Sequence, residues 1–310
     1  MRRIAMVMAL LVSAGTTHAQ SNADEARAWC LGRDSTSAER RMAGCSWIIR
    51  AGRADTRTMA EAFSNRGNLR RAQRDLAGAI ADYGEAIRLD PQSAESYRGR
   101  GIARGLQRDW NAASADFSAA IRLEPRYAGG YHARGIVAHE QGDLAQALAD
   151  FNEAIRLDPD YGPYRDRGAV RRDQGDLAGA RADFDAALRI HASDSFALAN
   201  RCVTRFRQND ALALADCDAA IAAGPAHYGW PNAARAGIHL LQGDLAATAA
   251  DLEEALRRDQ QDAYALFLRS RLLARRGDAA GAARDADAAR ALDARVEVRL
   301  IGEFGAAIAR

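Results

Sequence analysis

Apolar and small residues return at three- and four-residue intervals in short blocks along this chain, and the blocks return every 33 to 35 residues. Residues 60–91 show the unit. Phe63 and Gly67 share a face of the stretch 60–71, and Ala79, Tyr83 and Ala86 share a face of 76–89. That spacing predicts two amphipathic helices whose apolar faces meet when the chain folds back. Pro91, Pro125, Pro159 and Pro225 stop second helices. Asp75, Asp109, Asp143, Asp176, Asp210, Asp244 and Asp278 stand at the turns inside the hairpins, where an Asp caps the helix that follows. Gly142, Gly175, Gly243 and Gly277 precede four of them, as a left-handed helix end requires. A period near 34 predicts stacked helical hairpins. Such an array offers a long binding surface rather than a catalytic pocket.

The fixed positions resemble the tetratricopeptide repeat (TPR). That family asks for a large side chain at position 4, small ones at 8, 20 and 27, an aromatic at 24 and Pro at 32. Residues 94–125 supply Tyr97, Gly101, Ala113, Phe117, Ala120 and Pro125; residues 128–159 supply Tyr131, Gly135, Ala147, Phe151, Ala154 and Pro159. The next unit keeps Tyr164, Gly168, Ala180, Phe184 and Ala187 but has Ala192 in the Pro slot. Later units drift: Cys202 and Cys217 take the small and aromatic slots, and Leu252 and Ala286 the aromatic one. The resemblance implies an all-α, right-handed helical-hairpin solenoid with seven repeats over 60–294. Residues 20–59 read as a degenerate leading repeat. Residues 295–310, with Val296, Leu300, Ile301, Phe304 and Ile308 on one helical face, read as a closing cap helix.

Two charged ladders share the period. Arg66, Arg100, Arg134, Arg167, Arg201, Arg235 and Arg269 form one; Asp82, Asp116, Asp150, Asp183, Asp216, Asp251 and Asp285 form the other, about sixteen residues behind. The Arg ladder falls at the seventh position, where the family more often has a large apolar residue. A charge at a packed position is costly unless it is paired, and guanidinium and carboxylate match in a planar two-bond geometry. The ladders are therefore expected to form structural ion pairs, either within a repeat or between neighbours. The rival reading places the arginines in the groove, clamping ligand carboxylates.

Composition narrows the chemistry. Arg2 and Arg3 precede an apolar run from Ile4 to about Ala14, with a small-residue cleavage site at Thr17-His18-Ala19. Residues 1–19 are expected to be a signal peptide for export to the periplasm, with an uncleaved anchor or a secreted or envelope-associated protein as alternatives. Of 43 basic residues, losing those two leaves 41 against 41 acids, which argues against general attraction to nucleic acid. Every basic residue is Arg, so Lys-dependent phosphate loops and Schiff bases are excluded. Cys30 and Cys45 stand 15 apart, as do Cys202 and Cys217. Each pair spans one hairpin, which favours local disulfides in an exported protein; reduced, packed thiols are the alternative.

In the TPR family, first helices line a concave groove through their second, fifth, ninth and twelfth positions. Carried over, these give Arg98, His132, His139, Arg165 and Arg172 early, then Phe196, Val203, Phe206, Trp230, Tyr264 and Phe267. The groove should turn from basic to aromatic, unless the diverged units repack those rings between repeats. The family's two-carboxylate clamp is matched only by Asn68, so that specificity is not carried over. His132 and His139 are seven residues apart, about 10.5 Å along a helix, too far to share a metal. No nucleophile elbow, metalloprotease or nucleotide-loop pattern occurs, so no catalytic, cofactor or metal site is expected. The reading is a non-enzymatic envelope scaffold that holds a peptide or partner helix in its groove. The alternative is a component of an envelope enzyme system for assembly, secretion or polysaccharide export.

Overall fold

The structure is a computed structural model and describes residues 24–32, 37–225 and 229–309; the expected signal peptide lies outside them. The fold is an all-α TPR-type solenoid. Helix α1 spans 24–31. It is followed by α2 (Ala38–Ala51), α3 (Thr56–Ala72), α4 (Leu76–Leu89), α5 (Ala94–Leu106), α6 (Trp110–Leu123) and α7 (Ala128–Gln141). Then come α8 (Leu144–Leu157), α9 (Tyr161–Asp173), α10 (Leu177–Ile190), α11 (Ser195–Arg207), α12 (Ala213–Ala223) and α13 (Trp230–Gln242). The last are α14 (Leu245–Arg258), α15 (Ala263–Arg275), α16 (Ala279–Leu292) and α17 (Val296–Phe304), with a 3₁₀ turn at Ala306–Ala309. Two compact units divide at Asp143 and Leu144.

The hairpin turns follow one design. The residue before the capping Asp is left-handed in all seven: glycine at 142, 175, 243 and 277, but Arg74 (φ 64°), Arg108 (φ 62°) and Asn209 (φ 57°) elsewhere. Asp75, Asp109, Asp176, Asp244 and Asp278 then accept the backbone N–H three residues on, at 2.8–3.3 Å. Asp210 accepts from Leu212 instead.

In the first unit the core is a set of small clusters, one ring per layer: Tyr83 with Ala79 and Ala103, and Phe117 with Ala113 and Val137. The second unit differs. From Ala187 to Ile308 its buried residues form one cluster, which includes Ile238, Leu240, Leu252, Phe267 and Leu268. Larger aliphatic side chains in α13 and α15 join its layers.

Disulfides close Cys30–Cys45 and Cys202–Cys217, with Cα atoms 4.7 and 5.3 Å apart. The second replaces a recurring contact. In the neighbouring hairpin the Phe184 ring lies so close to Gly168 that a Cβ there would sit 2.8 Å from it. Cys202 and Cys217 occupy the same two slots and make that join covalently.

Arg–Asp pairing binds the two helices of six hairpins. Arg66, Arg100, Arg167 and Arg201 each donate two parallel hydrogen bonds to Asp82, Asp116, Asp183 and Asp216, at 2.6–3.0 Å. Arg235–Asp251 and Arg269–Asp285 repeat the arrangement. Within each unit the same guanidinium also reaches back one hairpin: Arg134 to Ser118, Arg167 to Asn152, Arg201 to Asp185 and Arg235 to Asp218. The bidentate bonds thus lie within a repeat, and the spare N–H group ties it to the preceding one. Four further arginines, missed in the sequence, join from one turn on. Arg70, Arg104, Arg171 and Arg205 lie 2.7–3.2 Å from the carboxylates of Asp82, Asp116, Asp183 and Asp216. The aspartates are 3–6% exposed, so two cations compensate each buried charge.

Candidate functional site

Helices α3, α5 and α7 carry the first-unit face. Arg98 stands on α5 with its guanidinium over the Tyr127 ring, 4.9 Å from its centre. His132 and His139 are half-buried on α7, and Ile136 between them is exposed. Asn68 accepts from the Tyr83 hydroxyl at 2.7 Å and donates to Glu95 at 3.3 Å. A cleft of about 410 Å³ opens beside it, lined by Glu61, Ser64, Asp90, Ser93, Glu95 and Ser96 among others. The face is therefore mixed, with acids and hydroxyls at one end and Arg98 and the histidines at the other. Sequence reasoning kept the basic members and passed over Glu61 and Glu95, although both occupy the second position of their repeats. Among the described residues no group of three metal-ligating side chains occurs, and the two histidines form no such site.

The second-unit face is carried by α9, α11, α13 and α15, and it departs most from expectation. Arg165 pairs with Asp166 at 2.8 Å, stands 3.7 Å from Asp194 and lies over the Phe196 ring at 5.0 Å. Arg172 is only 4% exposed: it pairs with Asp173 and Glu303 and donates to Asn200. Both arginines are committed to the chain's own groups. The expected aromatic groove is corrected too. Phe267 and Val203 are fully buried. Phe206, Trp230 and Tyr264 pack partly buried against the core, and Trp230 meets Tyr264 edge-on at 5.1 Å. Longer side chains at these positions extend the core outward instead of offering bare rings.

The covering element is the C-terminal segment. It does not close the array as one more stacked layer. Instead α17 packs against α9, α11 and α15, and the 3₁₀ turn packs against α13. Val296, Leu300, Phe304 and Ile308 are buried, whereas Ile301, expected on the same face, is 37% exposed. The Phe304 ring lies over Gly237, where a Cβ would fall 2.6 Å from it, so only glycine leaves room. Arg207 donates to the Gly302 carbonyl at 2.6 Å. Arg271 and Arg290 lie 3.3 and 3.6 Å from Glu297 at the start of the helix.

Burial sets the electrostatics here. It pushes the Glu303 carboxyl up to about 7 despite Arg172. Burial also works against the Arg172 charge, yet Glu303 and Asp173 hold its pKa above the ordinary value. Burial raises the Tyr264 hydroxyl well above its usual range, so it stays neutral.

Two family profiles match the chain, one described as "TPR repeat" over residues 67–108 and one as "Tetratricopeptide repeat" over 128–161. The first runs from the end of α3 through α4 and α5, and the second covers α7 and α8. The chain carries TPR repeats. No curated protein matches. A tetratricopeptide repeat protein from Parabacteroides merdae superposes with a TM-score of 0.65 at 16% identity, covering 77% of this chain and 94% of its own. PilF of Pseudomonas aeruginosa gives 0.57 at 15% identity, covering 68% and 97%. The anaphase-promoting complex hetero-tetramer Cut9–Hcn1 gives 0.63 at 13% identity, covering 87% and 52%. At these identities the likenesses show that this TPR protein shares their fold. The repeats themselves support a protein–protein interaction scaffold.

Proposed function

We propose that this TPR protein is an exported scaffold of the bacterial envelope that holds partner proteins on the faces of its first helices, without catalysis. One observation carries the binding mode: in the second unit that face already accommodates a protein segment, an amphipathic helix seated through aliphatic side chains, an aromatic anchor and a carboxylate near a buried arginine. The face suits helix-in-groove recognition. In the first unit, Arg98, His132, Ile136 and His139 provide the corresponding surface for a peptide or partner helix. Two disulfides and the arginine-led apolar run at 2–14 support export to the periplasm.

Immobilised full-length protein, crosslinked mildly to an envelope extract, tests this reading. A specific partner should be captured, and Arg98→Glu together with His132→Ala should lower its yield at least fivefold. Failure to capture any protein, or capture indifferent to both substitutions, would overturn it.

A further inference from the structure

We infer that the C-terminal segment 296–308 is an internal ligand of the second unit's face, and that the covered site accepts a partner helix with the same signature: an aliphatic residue, a carboxylate three positions on and an aromatic ring at the next. The inference rests on the scaffold reading above and names the ligand chemistry of one of its faces. In this chain the three points are Leu300, Glu303 and Phe304.

Each point meets a receptor built by elements far away in sequence. Leu300 enters the continuous apolar cluster and is fully buried. Phe304 rests on the bare backbone of Gly237 in α13. Glu303 reaches Arg172 of α9 at 3.4 Å, across 131 positions of sequence. Arg172 is in turn held by Asn200 of α11. A buried arginine and a glycine beneath an aromatic ring form a receptor for particular side chains, which a plain terminal cap does not require.

The segment is also constructed to leave. Nine residues make a helix that is marginal in water, so its order comes from the face it covers. No side chain caps its N-terminus, and Gly305 (φ 85°) ends it. Only 293–295 separate it from α16, and the bond from Val296 N–H to the Asp293 carbonyl forms the corner. Its carboxylate is buried at a cost that Arg172 at 3.4 Å, together with Arg299 and the Tyr264 hydroxyl, offsets only in part. A tethered segment of this kind competes with a partner through its high effective concentration, so a free helix binds only when its complement is better or the segment has been released.

The test uses full-length protein and a fluorescent synthetic peptide of residues 294–310. Hydrogen exchange on the wild-type chain should show amides of 296–304 opening at least tenfold faster than those of α15. The peptide should bind a full-length Phe304→Ala variant at least tenfold tighter than wild type, and a peptide with the same substitution should lose that gain. If Phe304→Ala does not fold, Glu303→Arg releases the segment by charge opposition and is read in the same way. Equal peptide affinity for wild-type and released protein, exchange of 296–304 only through global unfolding, or a dimer exchanging this segment between copies would each overturn the inference. Partner capture sensitive to Arg98 and His132 is a separate readout, so failure of either idea is distinguishable from failure of the other.

Discussion

At the scale of single residues, this protein spends arginine where its fold family more often spends bulk. Guanidinium groups at the seventh position of the repeats serve three kinds of neighbour: in six repeats the aspartate of the same hairpin, in four a polar group of the hairpin before, and in four the ring one turn earlier. The rings are Phe63, Tyr97, Tyr131 and Tyr164, at 5.5–5.9 Å. Asp183, buried between Arg167 and Arg171, is the sharpest case. Asp183→Asn should cost about 3 kcal/mol, because two partly buried cations lose their counter-charge; urea melts of purified protein measure it. Arg167→Lys should recover little, since an ammonium cannot make the planar two-bond match. At the turns the direction reverses. Arg108 is held at φ 62°, a conformation glycine adopts freely. Arg108→Gly should raise stability by about 0.5–1 kcal/mol, readable as a higher urea midpoint at unchanged slope.

At the scale of elements, the hairpins were legible in the sequence because apolar spacing and a capping Asp coincide at each, joined in four of them by a glycine before the Asp. Both disulfides follow from this, since each joins two slots that face each other across one hairpin. Removing Cys202 and Cys217 together by alanine should cost about 3 kcal/mol for a 15-residue loop, measured as the difference in unfolding free energy from the oxidised parent. What the sequence could not place was α17. Its apolar face was visible, but an amphipathic helix states only that something covers it. The partner came from α9, α11 and α15 together, and the signal that could have hinted at it was Gly237, small where the ring of Phe304 must pass. The same helix carries a pH dependence. Glu303 faces Arg172 and Asp173 of α9, Tyr264 of α15 and Arg299 of its own helix, while Arg207 of α11 holds the adjoining Gly302 carbonyl. Burial raises its pKa from 4.5 to about 7, so the docked state binds the extra proton. Docking is then strongest below about 4.5 and weakens as pH rises through about 7. Between pH 5 and 8 the docking equilibrium should fall on the order of tenfold to a hundredfold. Hydrogen exchange of 296–304, corrected for intrinsic rates, reads the change, and Glu303→Gln should abolish it.

At the scale of the whole molecule, the two units are built differently. The first is a regular stack of small clusters with a mixed polar face, and it holds the whole of the first segment that the family profiles match and residues 128–143 of the second. The second has a continuous cluster from Ala187 to Ile308, and its face is covered by the chain itself. The groove residues expected from sequence divide accordingly: Arg98, His132 and His139 lie on the first face, while Arg172 and Phe267 are buried in the second. Position in a repeat carried no information on what else would lie on a helix face. The central claim, that first-helix faces are where partners bind, is tested most directly by a photocrosslinking residue placed singly in the full-length protein. One site is Ile136, exposed between the two histidines of α7; the other is Arg122, exposed on the second helix α6. In living cells, position 136 should give a discrete crosslinked species and position 122 none. Crosslinks from position 122 alone, or equally from both, would contradict the account.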